Sequence, residues 1–311
     1  MRVLLSGSHG LIGRALHQRM DHEGHTVVAL VRSPVDAPFA GDSPQPPQVA
    51  WQPAERLIDH EALGRLGPYD AVVHLAGAGI GDHRWTPDYR REILVSRTEP
   101  TRFLAATATS LDPAPRVLVS ASAVGYYGDR GAEVLTEDSL AGEGFLADVC
   151  RQWEEATLPA EGAMRVAHLR SGVVLTARGG ALAKQLPLFR LGAGGRLGNG
   201  RQYVSWISLD DEVSAILRII DDDRLRGPVN ATAPAPVTNA ELTTAIARAV
   251  HRPAVLAIPK PALSLVMGGA MASQMLLSGQ RVLPTRLTAA GFSFTHPDIA
   301  TALAAALDNR L

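Results

Sequence analysis

Residues 1–32 constrain the fold more than any other stretch of the chain. Arg2-Val3-Leu4-Leu5-Ser6 is an apolar run of strand length, and Gly7-Ser8-His9-Gly10-Leu11-Ile12-Gly13 follows with the spacing G-x-x-G-x-x-G. Arg14 to Glu23 has helical spacing, with Ala15, Leu16 and Met20 on one side; Gly24-His25 closes it, and Thr26 to Val31 is a second strand-like run. Strand, glycine turn, helix and strand in about 30 residues is a unit shaped for the diphosphate of a dinucleotide. Gly7 permits a tight turn, Gly10 admits a phosphate without a Cβ in the way, and Gly13 lets the helix pack on the sheet. The helix N-terminus then offers its unpaired N–H groups and positive dipole end to the phosphates. With 29 Gly in 311 residues, the bare spacing is expected by chance in roughly one such chain in four. Its placement between strands is what carries the argument.

The end of the second strand selects between nicotinamide cofactors. An acidic residue there would hydrogen-bond the ribose 2′-OH of NAD. This chain has Arg32-Ser33 instead, and a guanidinium forks onto phosphate. The expected cofactor is therefore NADP.

Composition bounds what else the chain can be. A 46% hydrophobic content over 311 residues allows one large core plus a smaller lobe. A net charge of −1 argues against nucleic-acid binding and against a polybasic membrane anchor. The single cysteine, Cys150, leaves no intrachain disulfide and reads as a buried, inert thiol. Met1 to Leu5 reads as core strand rather than the start of a signal peptide. The longest apolar stretch, Leu263 to Leu277, is interrupted by Ser264, Gly268, Gly269, Ser273 and Gln274 and is too short to span a bilayer. These features predict a cytoplasmic protein.

Further along, Gln48 to Trp51 reads as a short strand, Ile58 to Leu66 as helix, and Tyr69 to Ala76 as a strand running into Gly77. Thr86-Pro87 is a helix start, an N-cap hydroxyl followed by proline, for a helix reaching about Thr109. Arg116 to Ser120 and Arg165 to Leu175 read as strands around a helix at Gly144 to Ala156. Beyond Thr176, glycines crowd around a helix at Ala181 to Leu191. Gln202 to Ser208 reads as a strand, Leu209 to Asp222 as a helix with Asp210-Asp211 as its cap, Pro228 to Ala231 as a strand and Asn239 to Val250 as a helix. An apolar helix over Ala262 to Leu277 follows. Regular βα alternation to Leu175 and irregularity after it predict an α/β fold, a Rossmann-type doubly wound parallel sheet with a smaller C-terminal lobe. The nucleotide domain is placed at 1–175, with segments from 202–231 joining it, and the substrate lobe mainly at 176–311.

Several motifs resemble the extended short-chain dehydrogenase/reductases, the group of sugar-nucleotide epimerases and dehydratases. They are Gly7-x-x-Gly10-x-x-Gly13, His74-Leu75-Ala76-Gly77 and Ser120-Ala121-Ser122-Ala123-Val124-Gly125-Tyr126-Tyr127-Gly128. Trp153-Glu154, Leu169 to Leu175, Ser205-Trp206-Ile207, Gly279 to Pro284 and Ala290-Gly291-Phe292 narrow the resemblance to an atypical "epimerase family" branch with its own C-terminal domain. The resemblance implies a Rossmann core, NADP binding and a cleft against the C-terminal lobe. It places Gly7, Gly10, Leu11, Ile12 and Gly13 on the diphosphate loop and Arg32 on the 2′-phosphate. It places Leu75, Ala76 and Gly77 on the adenosine side, and Ser171, Gly172 and Val173 near the nicotinamide. Ser120 and Ser122 end the strand that carries the family's active-site serine, with Ser122 the better match.

One departure stands out. Redox catalysis in this superfamily uses a Tyr and, four residues later, a Lys on the same helix face, where the cation lowers the phenol's pKa. None of the five tyrosines, at 69, 89, 126, 127 and 203, has Lys four residues on. On the expected helix Phe145 and Val149 fill the two positions. Ser122 and Tyr126, with neighbouring Tyr127, are the substitute catalytic candidates; packing roles for the tyrosines stay open. Two functions remain: an NADP(H)-dependent oxidoreductase or epimerase-like enzyme, or an NADP(H)-binding sensor with little turnover. Arg190, Arg196, Arg201 and Arg281 admit an anionic or nucleotide-linked small-molecule substrate. His74 and His168 read as core histidines, and no His/Cys cluster has metal-ligand spacing. The helix from Thr86 is a candidate surface for a homodimer.

Overall fold

The computed structural model of the chain describes residues 1–32 and 44–308. Its first half runs β1 (Arg2–Ser6), α1 (Leu11–His22), β2 (Thr26–Val31), β3 (Gln48–Gln52), β4 (Leu57–Ile58), α2 (His60–Leu66), β5 (Ala71–His74), α3 (Pro87–Thr109), β6 (Val117–Ala123), β7 (Val134–Leu135) and α4 (Phe145–Glu155). The second half runs β8 (Arg165–Ser171), β9 (Val173–Leu175), α5 (Gly180–Arg190), β10 (Gly195–Leu197), β11 (Tyr203–Val204), β12 (Trp206–Ser208), α6 (Leu209–Asp221), β13 (Gly227–Ala231), β14 (Val237–Thr238), α7 (Asn239–Ala249), β15 (Leu256–Ile258), α8 (Lys260–Met267), α9 (Gly269–Ala272), β16 (Arg281–Val282), α10 (Thr285–Ala289) and α11 (Ile299–Asp308).

Eight strands form one sheet in the order β13-β8-β6-β5-β1-β2-β3-β4, parallel except for the β3–β4 edge. Strand order reverses between β1 and β5, which is where a doubly wound sheet opens a crevice at its carboxyl edge. Side chains alternate across the sheet. Val3 and Leu5 pack with α1 and α6 on one face, while Leu4 packs with α2 and α3 on the other. A further core joins α5, α7 and α11 around Trp206. No helix among the described residues is long and apolar enough to cross a membrane.

Several elements differ from expectation for identifiable reasons. Ile58 belongs to β4, and Asp59 caps α2 by accepting from the Ala62 N–H, so that helix starts two residues later. The long strand from Arg165 breaks at Gly172, where a Cβ would lie 2.8 Å from the Ser205 carbonyl. The chain there leaves β13 and pairs instead with β12, Val173 donating to Ser205 O at 2.8 Å. The strand expected at Gln202 to Ser208 is correspondingly split at Ser205. The apolar helix at Ala262 to Leu277 is divided at Gly268, whose φ of +90° no helix interior accommodates. Asp210-Asp211 is not the cap of α6. Ser208 is, accepting from the Asp211 N–H, while the fully buried Asp211 carboxylate accepts from the Thr295 and His296 amides. Thr86 does cap α3, accepting from Tyr89 N–H.

Candidate functional site

The crevice is built on Gly7. Its φ is +75°, and a Cβ there would stand 2.8–2.9 Å from the backbone of Leu75 and Ala76. The ends of β1 and β5 therefore approach so closely that only glycine fits. Gly13 is as constrained, since its Cβ would meet the Gly7 carbonyl at 2.2 Å. Gly10 donates to Gly7 O at 2.9 Å and is the N-cap of α1 with no side-chain cap, so Leu11, Ile12 and Gly13 open the helix with uncapped amides. A Cβ on Gly179 or Gly180, at the start of α5, would meet the Leu11 side chain at 3.3 or 3.6 Å, so the C-terminal lobe lies beside the turn. Arg32 is exposed at the end of β2; Ser33 lies outside the described residues. Leu75, Ala76 and Gly77 follow β5, across β1 from Arg32. They stand at the crevice between β1 and β5, where the resemblance places the cofactor.

Beyond β5 the two catalytic candidates enter one buried polar cluster. Ser122 Oγ donates to Glu154 Oε1 at 2.7 Å. Arg170 closes a bidentate pair with the same carboxylate, Nε to Oε1 at 2.8 Å and Nη2 to Oε2 at 2.7 Å. Arg170 Nη1 donates to the Tyr127 hydroxyl at 2.9 Å, and Tyr127 in turn donates to Asn230 Oδ1 at 2.7 Å. The Arg170 guanidinium also lies over the Tyr126 ring, 3.5 Å from its centroid. Burial pulls the Arg170 pKa down, but the Glu154 hydrogen bonds and charge outweigh it and the net shift is upward. Burial raises the Tyr127 phenol, and Arg170 only partly offsets this. Tyr127 is thus a fully enclosed structural hydroxyl, its proton committed to Asn230. Tyr126 is half-buried and Ser122 is buried. Ser120 has no exposed surface and turns its hydroxyl toward Ala121 O. Val173 is half-buried on β9.

The sequence matches the NAD dependent epimerase/dehydratase family over residues 3–151 and a domain of unknown function, DUF1731, over 258–306. It is 45% identical over 302 residues to the epimerase family protein Mb2239 of Mycobacterium bovis, covering 97% of this chain and 96% of that one. The chain belongs to the epimerase family. An SDR39U1 homolog of Arabidopsis thaliana, described as chloroplastic, is 38% identical over 98% of this chain and 86% of its own. The crystal structure of human epimerase family protein SDR39U1 with NADPH superposes with a TM-score of 0.88 at 33% identity, over 99% of this chain and 100% of that one.

Within that family frame, the helix expected to hold Tyr and Lys is α4, and its side chains are apolar where the pair would stand. Phe145 meets Trp85 edge-on at 5.1 Å between ring centroids, and Val149 is buried with Tyr89 and Ile93. Cys150 is buried, and burial pushes its thiol up to about 12, so it stays protonated and inert. Burial lowers the His74 imidazole to about 4, which makes it the neutral core histidine expected. His168 differs. Its Nε2 lies 2.9 Å from Thr157 Oγ1 and its Nδ1 3.7 Å from Glu154 Oε2, so it belongs to the polar cluster.

Glu154, Arg170, Asn230 and Arg97 were not assigned roles from the sequence. Arg170 carried a signal nonetheless, being the one permanent cation within the apolar run Val166 to Leu175; a buried strand arginine demands a carboxylate. Arg97 carried another, since it falls on the same α3 stripe as Ile93, Thr101 and Leu104, all buried.

Proposed function

We propose that this family member binds NADP(H) in the β1–β5 crevice and acts as an oxidoreductase or epimerase-like enzyme on a small hydroxyl or carbonyl compound. Anionic and nucleotide-linked compounds are included. The observation that carries the reading is the glycine cradle. Gly7 and Gly13 leave no room for a Cβ, and the uncapped first turn of α1 offers its amides to a diphosphate. The NADPH in the crystal structure of the human relative supports the same reading. Arg32 favours the 2′-phosphate form of the cofactor. Gly7, Gly10, Leu11, Ile12 and Gly13 hold the diphosphate, Arg32 and Ser33 the 2′-phosphate, and Leu75, Ala76, Gly77, Ser120 and Val173 the walls.

NADP held there would accept a hydride from a substrate hydroxyl, and NADPH would return one to a carbonyl. The chain's own part is acid–base and orienting chemistry. Ser122 Oγ gives its proton to Glu154, which leaves its lone pairs to accept a hydrogen bond from a substrate hydroxyl. Arg170 holds Glu154 in place and fixes the Tyr126 ring. NADPH oxidation across a panel of carbonyl compounds and sugar nucleotides tests this, with turnover lost in Ser122→Ala. Cofactor binding without turnover on any of them overturns the enzymatic part.

A second reading, an NADP(H)-binding sensor, is favoured by one observation: the Tyr and Lys positions on α4 are packed with hydrocarbon. It expects shape or partner binding to follow the cofactor's redox state, and identical proteolysis patterns with NADP, NADPH and no ligand would remove it. We place the protein in the cytoplasm, with a small-molecule substrate, no nucleic-acid or membrane partner, and α3 as the surface of a homodimer.

A further inference from the structure

Among the described residues, Arg97 is a buried cation with no counter-ion. It is 9% exposed, and its described hydrogen-bond partners are both backbone carbonyls: Nη1 donates to Ile93 O at 3.0 Å and Nη2 to Ala78 O at 2.9 Å. Its guanidinium lies 5.0 Å from the centroid of the Trp153 ring. Among the described residues no carboxylate forms an ion pair with it. The titratable groups facing it are the Cys150 thiol and the Tyr89 phenol. Burial raises the pKa of both, so both are neutral at pH 7. Burial also pulls Arg97 below the ordinary arginine value, yet a guanidinium does not give up its proton in a protein. A charge in this position is costly unless something negative comes to it.

The structure also shows from where an anion would come. Gly77 is exposed at the carboxyl end of β5, and a Cβ built on it would lie 3.4 Å from Arg97 Cγ and Cζ. The guanidinium thus stands directly behind the crevice wall, with a glycine in front. This wall is on the far side of β1 from Arg32. Trp153, whose ring the guanidinium covers, and Cys150, the thiol facing it, both belong to α4.

We propose that Arg97 is the cation of the cofactor crevice. It faces the diphosphate and nicotinamide-ribose half of NADP(H) across Gly77, and it brings its positive charge to the crevice from α3. The inference rests on the NADP(H) reading of the crevice. Arg97 is a positioning residue here, acting on the cofactor's geometry and on the local potential.

The test compares the full-length wild type with Arg97→Met for binding of NADPH and of 2′,5′-ADP, which lacks the second phosphate and the nicotinamide ribose. Melting of the ligand-free protein is followed alongside. NADPH affinity is expected to fall about ten- to a hundredfold, as for loss of a charged partner. Affinity for 2′,5′-ADP should stay within about twofold, and the melting temperature should hold or rise, as when a buried charge gives way to hydrocarbon. Unchanged NADPH affinity overturns the proposal, as does an equal loss for both ligands. If Arg97→Met does not fold, Arg97→Gln, which keeps a donor for Ala78 O, decides by the same two affinities. A wild type that binds neither ligand defeats the cofactor reading itself, and this inference with it.

Discussion

Two buried arginines sit a few residues from the same crevice and are treated in opposite ways. Arg170 is enclosed by its own answer: Glu154 neutralises it, Tyr127 takes a third hydrogen bond, and the Tyr126 ring covers its face. Arg97 has two backbone carbonyls, one aromatic ring and a glycine. In the first arrangement the charge is neutralised internally, and the pair ties β6, β8 and α4 together. The second leaves the guanidinium with no carboxylate partner among the described residues. A buried charge is thus evidence of function only after its partners have been counted. Glu212 is the anionic counterpart of Arg97. Its carboxyl is fully buried, one oxygen bonds Ser171 Oγ, the other has no partner, and burial raises its pKa to about 7.

The comparison breaks most visibly at Glu154. Glu154→Ala strands Arg170 in the core and is expected to cost about 3–5 kcal/mol, read from urea denaturation. Arg97→Met, which strands no charge, should cost far less; equal costs would erase the distinction drawn here. Next in size is Arg32→Ala. If this exposed cation holds the 2′-phosphate, its loss should weaken NADP by about ten- to a hundredfold in calorimetry and leave NAD within about twofold. Equal loss for both would remove Arg32 from the 2′-phosphate role.

Glu212→Gln sharpens the contrast through pH. The folded-state pKa of about 7 stands above the ordinary carboxyl value of 4.5, so the native protein keeps a proton that the unfolded chain releases. Stability therefore falls as pH rises from about 4.5 to 7, and the full penalty stands above that window. The amide retains a partner for Ser171 and cannot ionise. It is expected to stabilise the protein by about 1–3 kcal/mol at pH 8 and to change little at pH 4, in paired denaturation curves. A gain of the same size at both pH values would show that the carboxyl is not neutral in the fold. The smallest effect belongs to Lys184→Ala. Its 3.1 Å pair with Asp82 joins α5 to the loop after β5, but both side chains are more than half exposed. A change of at most about 0.5 kcal/mol, vanishing in high salt, is expected.

The amino acid order alone determined whatever is decided within a few residues. The turn from Gly7 to Gly13, the Thr86 cap of α3, the glycine stop after α1 and the apolar run of β1 were all legible, because backbone sterics and near-neighbour hydrogen bonds act locally. So was the absence of Lys four residues after any tyrosine. Three-dimensional packing decided the rest. Gly172 ends β8 because the Ser205 carbonyl arrives there, and nothing near Gly172 in the chain announces that contact. Arg170 and Glu154 stand on different elements, and only the docking of α4 on the sheet makes them a pair. Whether a buried guanidinium is answered or left open depends on which distant groups fold against it. That is a property of the assembled interior, where removal from water makes each missing partner count.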